Sequence, residues 1–153
     1  MEIATFGAGC FWGVQSSFDK IKGVNKTIVG FMGGTKKNPT YKQVCTGKTD
    51  HIEVINIEFD SKIVTYNKLL NVFWKIHDPT QVNKQGFDIG SQYKSIIFYN
   101  SLEQKKIAEE SKNRLEKSKI YNSNIKTEIK PISIFYPAEE YHQKYFEKTD
   151  YEK

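Results

Sequence analysis

Apolar positions along this chain recur with two periods, one near two residues and one near 3.6, and the alternation between them outlines the elements. Glu2-Ile3-Ala4-Thr5-Phe6 predicts a short strand, and Gly7-Ala8-Gly9 the tight turn that leaves it. Phe11, Val14 and Phe18 then return at helical spacing, predicting a helix from 11 to about 20. Residues 27–32 are β-branched and aromatic and predict a second strand, ended by Gly33-Gly34; the polar stretch 35–47 predicts a long loop. Residues 51–59 alternate most clearly, with Glu53, Ile55, Ile57 and Phe59 on one face and Ile52, Val54, Asn56 and Glu58 on the other. Tyr66, Leu69, Leu70, Phe73, Trp74 and His77 predict an amphipathic helix over 65–77, capped by Thr65 and stopped at Asp78-Pro79. A polar loop, 80–90, feeds a strand over 92–99 in which Tyr93, Ser95, Ile97 and Tyr99 share a face. Ser101 with Gln104 predicts a capping box for a long helix to about 118, whose stripe Ile107, Ser111 and Leu115 would cover one side of a sheet. Segments 125–129 and 132–135 predict further strands, and Pro137 opens a last helix over 138–148. Interleaved strands and helices predict a two-layer α+β domain, a mixed sheet with helices packed on it.

At 153 residues the size suits one domain, with residues from about 149 to 153 as a short tail. No repeat or linker divides the chain, and no apolar run is long enough to span a bilayer. The N-terminus enters the first strand directly, without a basic-then-apolar leader, which predicts a cytoplasmic protein. Two cysteines do not make a disulfide framework and fit a reducing compartment. The net charge of +5 raises nucleic-acid binding as an alternative. Nearly all of that charge is lysine spread along the chain, however, with Arg114 the only arginine, so no clustered phosphate-reading patch is expected. The three histidines and two cysteines have no short-spaced pair, so no metal site is expected either.

The candidate chemistry begins at Gly9-Cys10-Phe11-Trp12-Gly13. This places Cys10 at the first turn of a helix, where free N–H groups and the macrodipole favour an anion. A lowered thiol pKa and a reactive thiolate are therefore expected, facing a small apolar pocket made by the two following aromatics. A buried structural cysteine is the plainer alternative, but a glycine-rich strand-to-helix turn exposes a group more readily than it buries one. Gly7-x-Gly9 also begins like a dinucleotide-binding fingerprint; its third glycine comes one residue late, and Trp12 blocks close backbone approach. Glu53 shares its face with three large apolar residues. Either it is core-facing, with its pKa raised by lost solvation, or it lies at a frayed, solvated strand start. Tyr93 at a loop-to-strand junction can present its hydroxyl to a cleft, whereas His77 reads as a satisfied helix-end residue.

These blocks, taken together and in order, resemble the peptide methionine sulfoxide reductase A family over nearly the whole chain. Gly9 to Gly13 resembles its nucleophile motif, and Gly33-Gly34, Asn38-Pro39-Thr40-Tyr41 and Val44-Cys45 its next block. Asp50-His51-Ile52-Glu53-Val54 resembles its Gly-His-Ala-Glu-Val block, departing at Asp50 and Ile52. His77-Asp78-Pro79-Thr80, Gln85-Gly86, and Asp88 with Gly90-Ser91-Gln92-Tyr93-Lys94-Ser95 resemble the remaining core, with Lys94 where arginine is usual. Glu140-Tyr141-His142-Gln143 resembles the closing block. The resemblance implies an α+β roll around a ferredoxin-like βαβ core and reduction of the S epimer of methionine sulfoxide, free or in proteins. It also implies that Cys10 attacks the sulfoxide sulfur, that protonated Glu53 gives its proton to the oxygen, and that Tyr41 and Tyr93 donate hydrogen bonds to it. Asp88 would add a polar contact, and Phe11 and Trp12 would take the substrate methyl group. A generic thiol peroxidase or transferase would share Cys10 but leave Glu53 and the two tyrosines unexplained.

The resemblance further implies that Cys10 is left as a sulfenic acid, with no bound cofactor. Many family members resolve it with C-terminal cysteines, and here no cysteine follows Cys45. The expected reductant is an external thiol, either thioredoxin or glutathione with glutaredoxin; the alternative is Cys45 as resolving cysteine.

Overall fold

A computed structural model of the chain describes residues 1–145, and the elements below are those of the described residues. In chain order they are β1 (Glu2–Ala8), α1 (Phe11–Asp19), β2 (Val24–Met32), α2 (Tyr41–Cys45), β3 (Ile52–Phe59) and α3 (Tyr66–Lys75). There follow β4 (Lys84–Gln85), β5 (Asp88–Ile89), β6 (Ser95–Tyr99), α4 (Leu102–Ser118), β7 (Glu128–Pro131) and β8 (Tyr136–Pro137). Two single 3-10 turns, Ser91–Tyr93 and Glu140–His142, complete the set.

Six strands form one sheet in the order β7-β6-β1-β3-β2-β8; the β6–β7 pair is parallel and the other pairs are antiparallel. This is the expected α+β class with a mixed sheet. The alternation in β3 explains the placement of the core. Ile55, Ile57 and Phe59 join Phe6, Val29, Phe31 and Ile97 against Phe11 and Phe18 of α1 and Leu69, Leu70 and Phe73 of α3. Ile52 and Val54 face the other way, forming a smaller cluster with Met32, Ile96 and Phe98 that Phe135 partly covers. Each fully buried side chain of this size contributes about 1.5–3 kcal/mol, so β3, apolar on both faces, anchors the sheet.

Several expectations are corrected. Strand β1 continues through Gly7 and Ala8, and only Gly9, at φ +96°, turns the chain. At Gly7 a Cβ would come within 2.8 Å of Ile96, so this glycine serves strand packing rather than a turn. The expected loop 35–47 contains α2, closed by a reciprocal cap. Gln43 N–H donates to Thr40 Oγ1 at 3.2 Å, and Thr40 N–H donates to Gln43 Oε1 at 3.0 Å. That Thr-x-x-Gln pattern was present in the sequence, but five residues are too few to show helical periodicity. Tyr93 ends a 3-10 turn instead of opening a strand, and β6 starts at Ser95. Helix α4 is capped by Ser101, yet the Gln104 side chain accepts from Asn100 N–H, not from Ser101. Its buried stripe is Gln104, Ala108 and Ser111, with Ile107 and Leu115 half-buried. Residues 132–135 form no strand, and through 144 the predicted helix over 138–148 is a three-residue turn, with Tyr145 helical after it. Its remainder and the 149–153 tail lie outside the described residues. Among the described residues no helix is long and apolar enough to cross a membrane.

Candidate active site

The site forms where the C-terminal end of β1 turns into α1 beside the start of β3. Gly9 makes the turn, and Cys10 follows as the N-cap residue of α1, at φ −58° and ψ 120°, half-buried. Glu53, in register with Phe31 of the neighbouring strand β2, is 1% exposed. Its Oε1 accepts the Phe11 N–H at 3.1 Å, so the first helical N–H of α1 joins the carboxyl to the residue next to Cys10. Its Oε2 is buried and has no hydrogen-bonding partner among the described residues. Of the two alternatives for Glu53, the core-facing one holds. Burial drives its pKa up to about 8, against the pull of the Phe11 N–H, and the charge of Asp88 adds to the rise.

Cys10 overturns the expectation of a lowered pKa. Its thiol is pushed up to about 11, first by burial; the Trp12 N–H opposes this, the charges of Glu53 and Asp88 add to it, and the Gly13 N–H opposes weakly. The physical reason lies in magnitudes. A helix N-terminus supplies roughly 0.3–1 kcal/mol, below one pKa unit, whereas desolvation shifts buried groups by up to about 3–5 units. In addition, the Phe11 N–H is spent on Glu53.

Two phenols face this pair. Tyr41, the first residue of α2, is held by its own N–H to Glu139 Oε1 at 3.2 Å and by ring contacts with His142 at 4.2 Å and Phe11 at 6.0 Å. Burial, then the charge of Glu53, then a hydrogen bond with the Cys45 thiol push its pKa well above the ordinary tyrosine value. Tyr93, half-buried, is raised likewise, first by burial and then by Glu53, Cys45, Asp88 and Cys10, so its hydroxyl lies within electrostatic reach of all four. Both phenols therefore stay protonated and available as donors. Asp88 is exposed on the β4–β5 hairpin, and its charge reaches Cys10, Glu53 and Tyr93.

Phe11 and Trp12 divide differently. Phe11 is 1% exposed and belongs to the core, its ring against Phe31 and His142. Trp12 is half-buried: its Nε1–H donates to His142 Nδ1 at 3.1 Å, and the indole lies parallel to Tyr145 at 3.9 Å. Cys45 is exposed at the end of α2, and both thiols are free. His77 is the satisfied helix-end residue expected: one ring nitrogen pairs with Phe73 O at 2.6 Å and the other with Ser95 Oγ at 2.7 Å. Burial lowers its pKa to about 4.

Sequence reasoning assigned no role to the 139–143 segment, which braces the site. Glu139 holds Tyr41, His142 holds Trp12, and Gln143 bonds both the N–H (3.0 Å) and the C=O (2.9 Å) of Val29 as a strand neighbour would. The only hint in the sequence was the closing block Glu140 to Gln143, which resembled a family motif without stating a function. Among the described residues no group of three or more His, Cys, Asp or Glu side chains gathers where it could hold a metal ion.

The model of one protein family, peptide methionine sulfoxide reductase, matches residues 2–153. A peptide methionine sulfoxide reductase MsrA from Methanothermobacter thermautotrophicus is 57% identical over 148 residues, 97% of this chain and 88% of that protein. The reduced form of Mxr1 from Saccharomyces cerevisiae superposes with a TM-score of 0.91 at 35% identity, covering 97% of this chain and 86% of that one. Methionine sulfoxide reductase A of Corynebacterium diphtheriae superposes with a TM-score of 0.86 at 35% identity, covering 97% and 75%.

Proposed function

This chain belongs to the peptide methionine sulfoxide reductase family and reduces methionine sulfoxide to methionine, and from that premise we propose how its residues divide the reaction. The Cys10 sulfur attacks the sulfoxide sulfur of the S epimer. Glu53, protonated at neutral pH, gives its Oε2 proton to the sulfoxide oxygen. Tyr41 and Tyr93 donate hydrogen bonds to that oxygen as charge develops on it. As the bond to Cys10 forms, the new Glu53 carboxylate takes up the thiol proton. The sulfoxide S–O bond breaks, an S–O bond forms on Cys10, and methionine leaves. The substrate sulfur is reduced by two electrons and the cysteine sulfur oxidised by two, to a sulfenic acid. Trp12 is the accessible aromatic for the substrate methyl group, with Phe11 behind it and Asp88 as a polar neighbour.

The buried Oε2 of Glu53, without a hydrogen-bonding partner among the described residues, carries this reading. A carboxyl that holds one helix N–H and has no partner for its other oxygen keeps a proton there and can part with it only to something entering the site. The test is single-turnover reduction of a methionine-S-sulfoxide peptide by pre-reduced protein without added thiol. About one equivalent of methionine from the S epimer, none from the R epimer and none with Cys10→Ser is the expected result. Equal yields from both epimers, or a full yield from Cys10→Ser, would overturn it.

An external thiol, thioredoxin or glutathione with glutaredoxin, returns Cys10 to its reduced state. One observation favours Cys45 as a resolving cysteine instead: its thiol lies within electrostatic reach of Tyr41 and Glu53, at the edge of the site. Cys45→Ser separates the two. Full turnover with glutathione and glutaredoxin supports the external thiol, and lost turnover with a normal single-turnover yield assigns the role to Cys45.

A further inference from the structure

His142 is 2% exposed, and its ring packs against two phenol rings, Tyr41 at 4.2 Å and Tyr141 at 4.0 Å between centroids. Its Nδ1 accepts the Trp12 Nε1–H at 3.1 Å. An indole nitrogen can only donate, so this bond fixes the form of the imidazole: Nδ1 carries no proton, and the neutral ring holds its hydrogen on Nε2. That Nε2 is buried and has no hydrogen-bonding partner among the described residues. For packing alone a phenylalanine would serve better, filling the same space without an unpaired donor. What the imidazole adds over a phenyl ring is the acceptor at Nδ1.

That acceptor decides how Trp12 stands in the site. The indole is half-buried and carries its N–H on one edge only, so the bond to Nδ1 selects one of the two ways the flat ring can face. Tyr145, parallel to the indole at 3.9 Å, constrains the plane of the ring and not that choice. Tyr41 rests on the same imidazole. The ring proposed to take the substrate methyl group and the phenol proposed to bind the sulfoxide oxygen are therefore both referred to one side chain. Methyl group and oxygen sit on a single sulfur, so the two subsites must keep a fixed separation.

We infer that His142 is a positioning residue for substrate capture, locking the methyl subsite at Trp12 against the oxygen subsite at Tyr41, and that it does so only as the neutral imidazole. This rests on the reductase reading above and deepens it. A proton on Nδ1 would set two donors head to head and release the indole. Burial lowers the pKa of the ring from 6.5, and the charge of Glu139 opposes this, so the lock is closed at neutral pH and opens on the acid side. The other titratable groups against the ring, Tyr41 of α2 and Tyr141 of its own turn, are phenols that stay uncharged throughout that range. The α1 rings against it, Phe11 and Trp12, carry no charge.

The test is steady-state reduction of N-acetyl-methionine-S-sulfoxide amide, with dithiothreitol as reductant, from pH 5 to 8. His142→Phe keeps a ring in place and removes the acceptor, so KM at neutral pH should rise about three- to tenfold, with kcat within about twofold of wild type. Because His142 acts through the indole N–H, adding His142→Phe to Trp12→Phe should raise KM no further. In wild type kcat/KM should fall as pH drops below 6.5. His142→Asn offers an amide oxygen near the position of Nδ1 and does not titrate; it should recover most of the wild-type KM and lack that acid fall. It also carries the test should His142→Phe fail to fold. An unchanged KM in His142→Phe, a loss residing in kcat, effects that add in the double variant, a wild-type kcat/KM flat down to pH 5, or the same acid fall in His142→Asn would overturn the lock. Failure of wild type to reduce the S epimer at any pH would overturn the reductase reading itself.

Discussion

Replacing Glu53 with glutamine tests the centre of the mechanism, because the two side chains match in shape and differ in whether they can give up a proton. The amide oxygen of the introduced glutamine can keep the Phe11 N–H that Oε1 now accepts, so α1 and Cys10 should stay in place. The wild-type carboxyl is raised from 4.5 to about 8, a gap equivalent to about 5 kcal/mol between its two protonation states. The folded protein holds this proton more tightly than the unfolded chain, so the contribution is fully present below pH 4.5. It is lost as pH rises to about 8 and is constant above that. Glu53→Gln removes this dependence. Denaturant unfolding of both proteins from pH 5 to 9 should show wild type losing stability relative to the variant by several kcal/mol, with the difference levelling near pH 8. Single-turnover methionine formation is the second readout. In wild type the rate should fall above about pH 8 as Glu53 ionises. In the variant it should be lower by roughly 10²–10⁴-fold and lack that limb. A variant within threefold of wild type at neutral pH, or the same pH limb in both, would refute the assignment of the proton donor.

Asp88→Asn removes one of the charges that raise Cys10, so the midpoint for alkylation of Cys10 by iodoacetamide should move down from about 11 in a Cys45→Ser background; an unmoved midpoint excludes the coupling. Trp12→Phe deletes the donor to His142 Nδ1 and should cost about 1 kcal/mol of stability, read by urea unfolding, while raising KM for the sulfoxide severalfold. His77→Ala removes both ring hydrogen bonds from a buried site and should cost about 2–4 kcal/mol. The pKa of His77 is lowered from 6.5 to about 4, so wild-type stability at this site is lost as pH falls through that window, and the variant should lack this acid loss.

The parts of the fold legible in the sequence were those where period and cap agreed. Strand β3 and helix α3 announce themselves through eight and ten residues of consistent alternation, and Thr65 caps α3 through its hydroxyl as its position predicts. Helix α2 escaped, and the turn at Glu140–His142 was read as part of a longer helix, because elements of five and three residues have no measurable period. They are fixed by contacts remote in sequence, such as Glu139 with Tyr41 and His142 with Trp12. Glu53 was legible as a carboxyl on an apolar face, but choosing between core and solvent needed strands β1 and β2 on either side of it. The position of Cys10 at a helix start was legible, and its proton affinity was not, since local position conveys the helix terminus and omits the burial that outweighs it.

One hydrogen bond links these outcomes. Had the Phe11 N–H turned to the Cys10 sulfur, the thiol would have gained a donor and Glu53 would have lost its hydrogen-bonding partner among the described residues. Directed to Oε1 instead, it fixes which carboxyl oxygen remains free to carry the proton and leaves the sulfur to the weaker opposition of Trp12 and Gly13. Both groups then rest protonated at neutral pH, the carboxyl by its rise to about 8 and the thiol by its rise to about 11. Thiolate character is what exposes a cysteine to unwanted oxidants, so a neutral Cys10 is protected between turnovers. In the proposed reaction the proton given to the sulfoxide oxygen leaves a carboxylate beside the thiol just as the sulfur must lose its own. The order of the two pKa values therefore delays the nucleophile until the substrate oxygen has been protonated, tying activation of Cys10 to the presence of a sulfoxide.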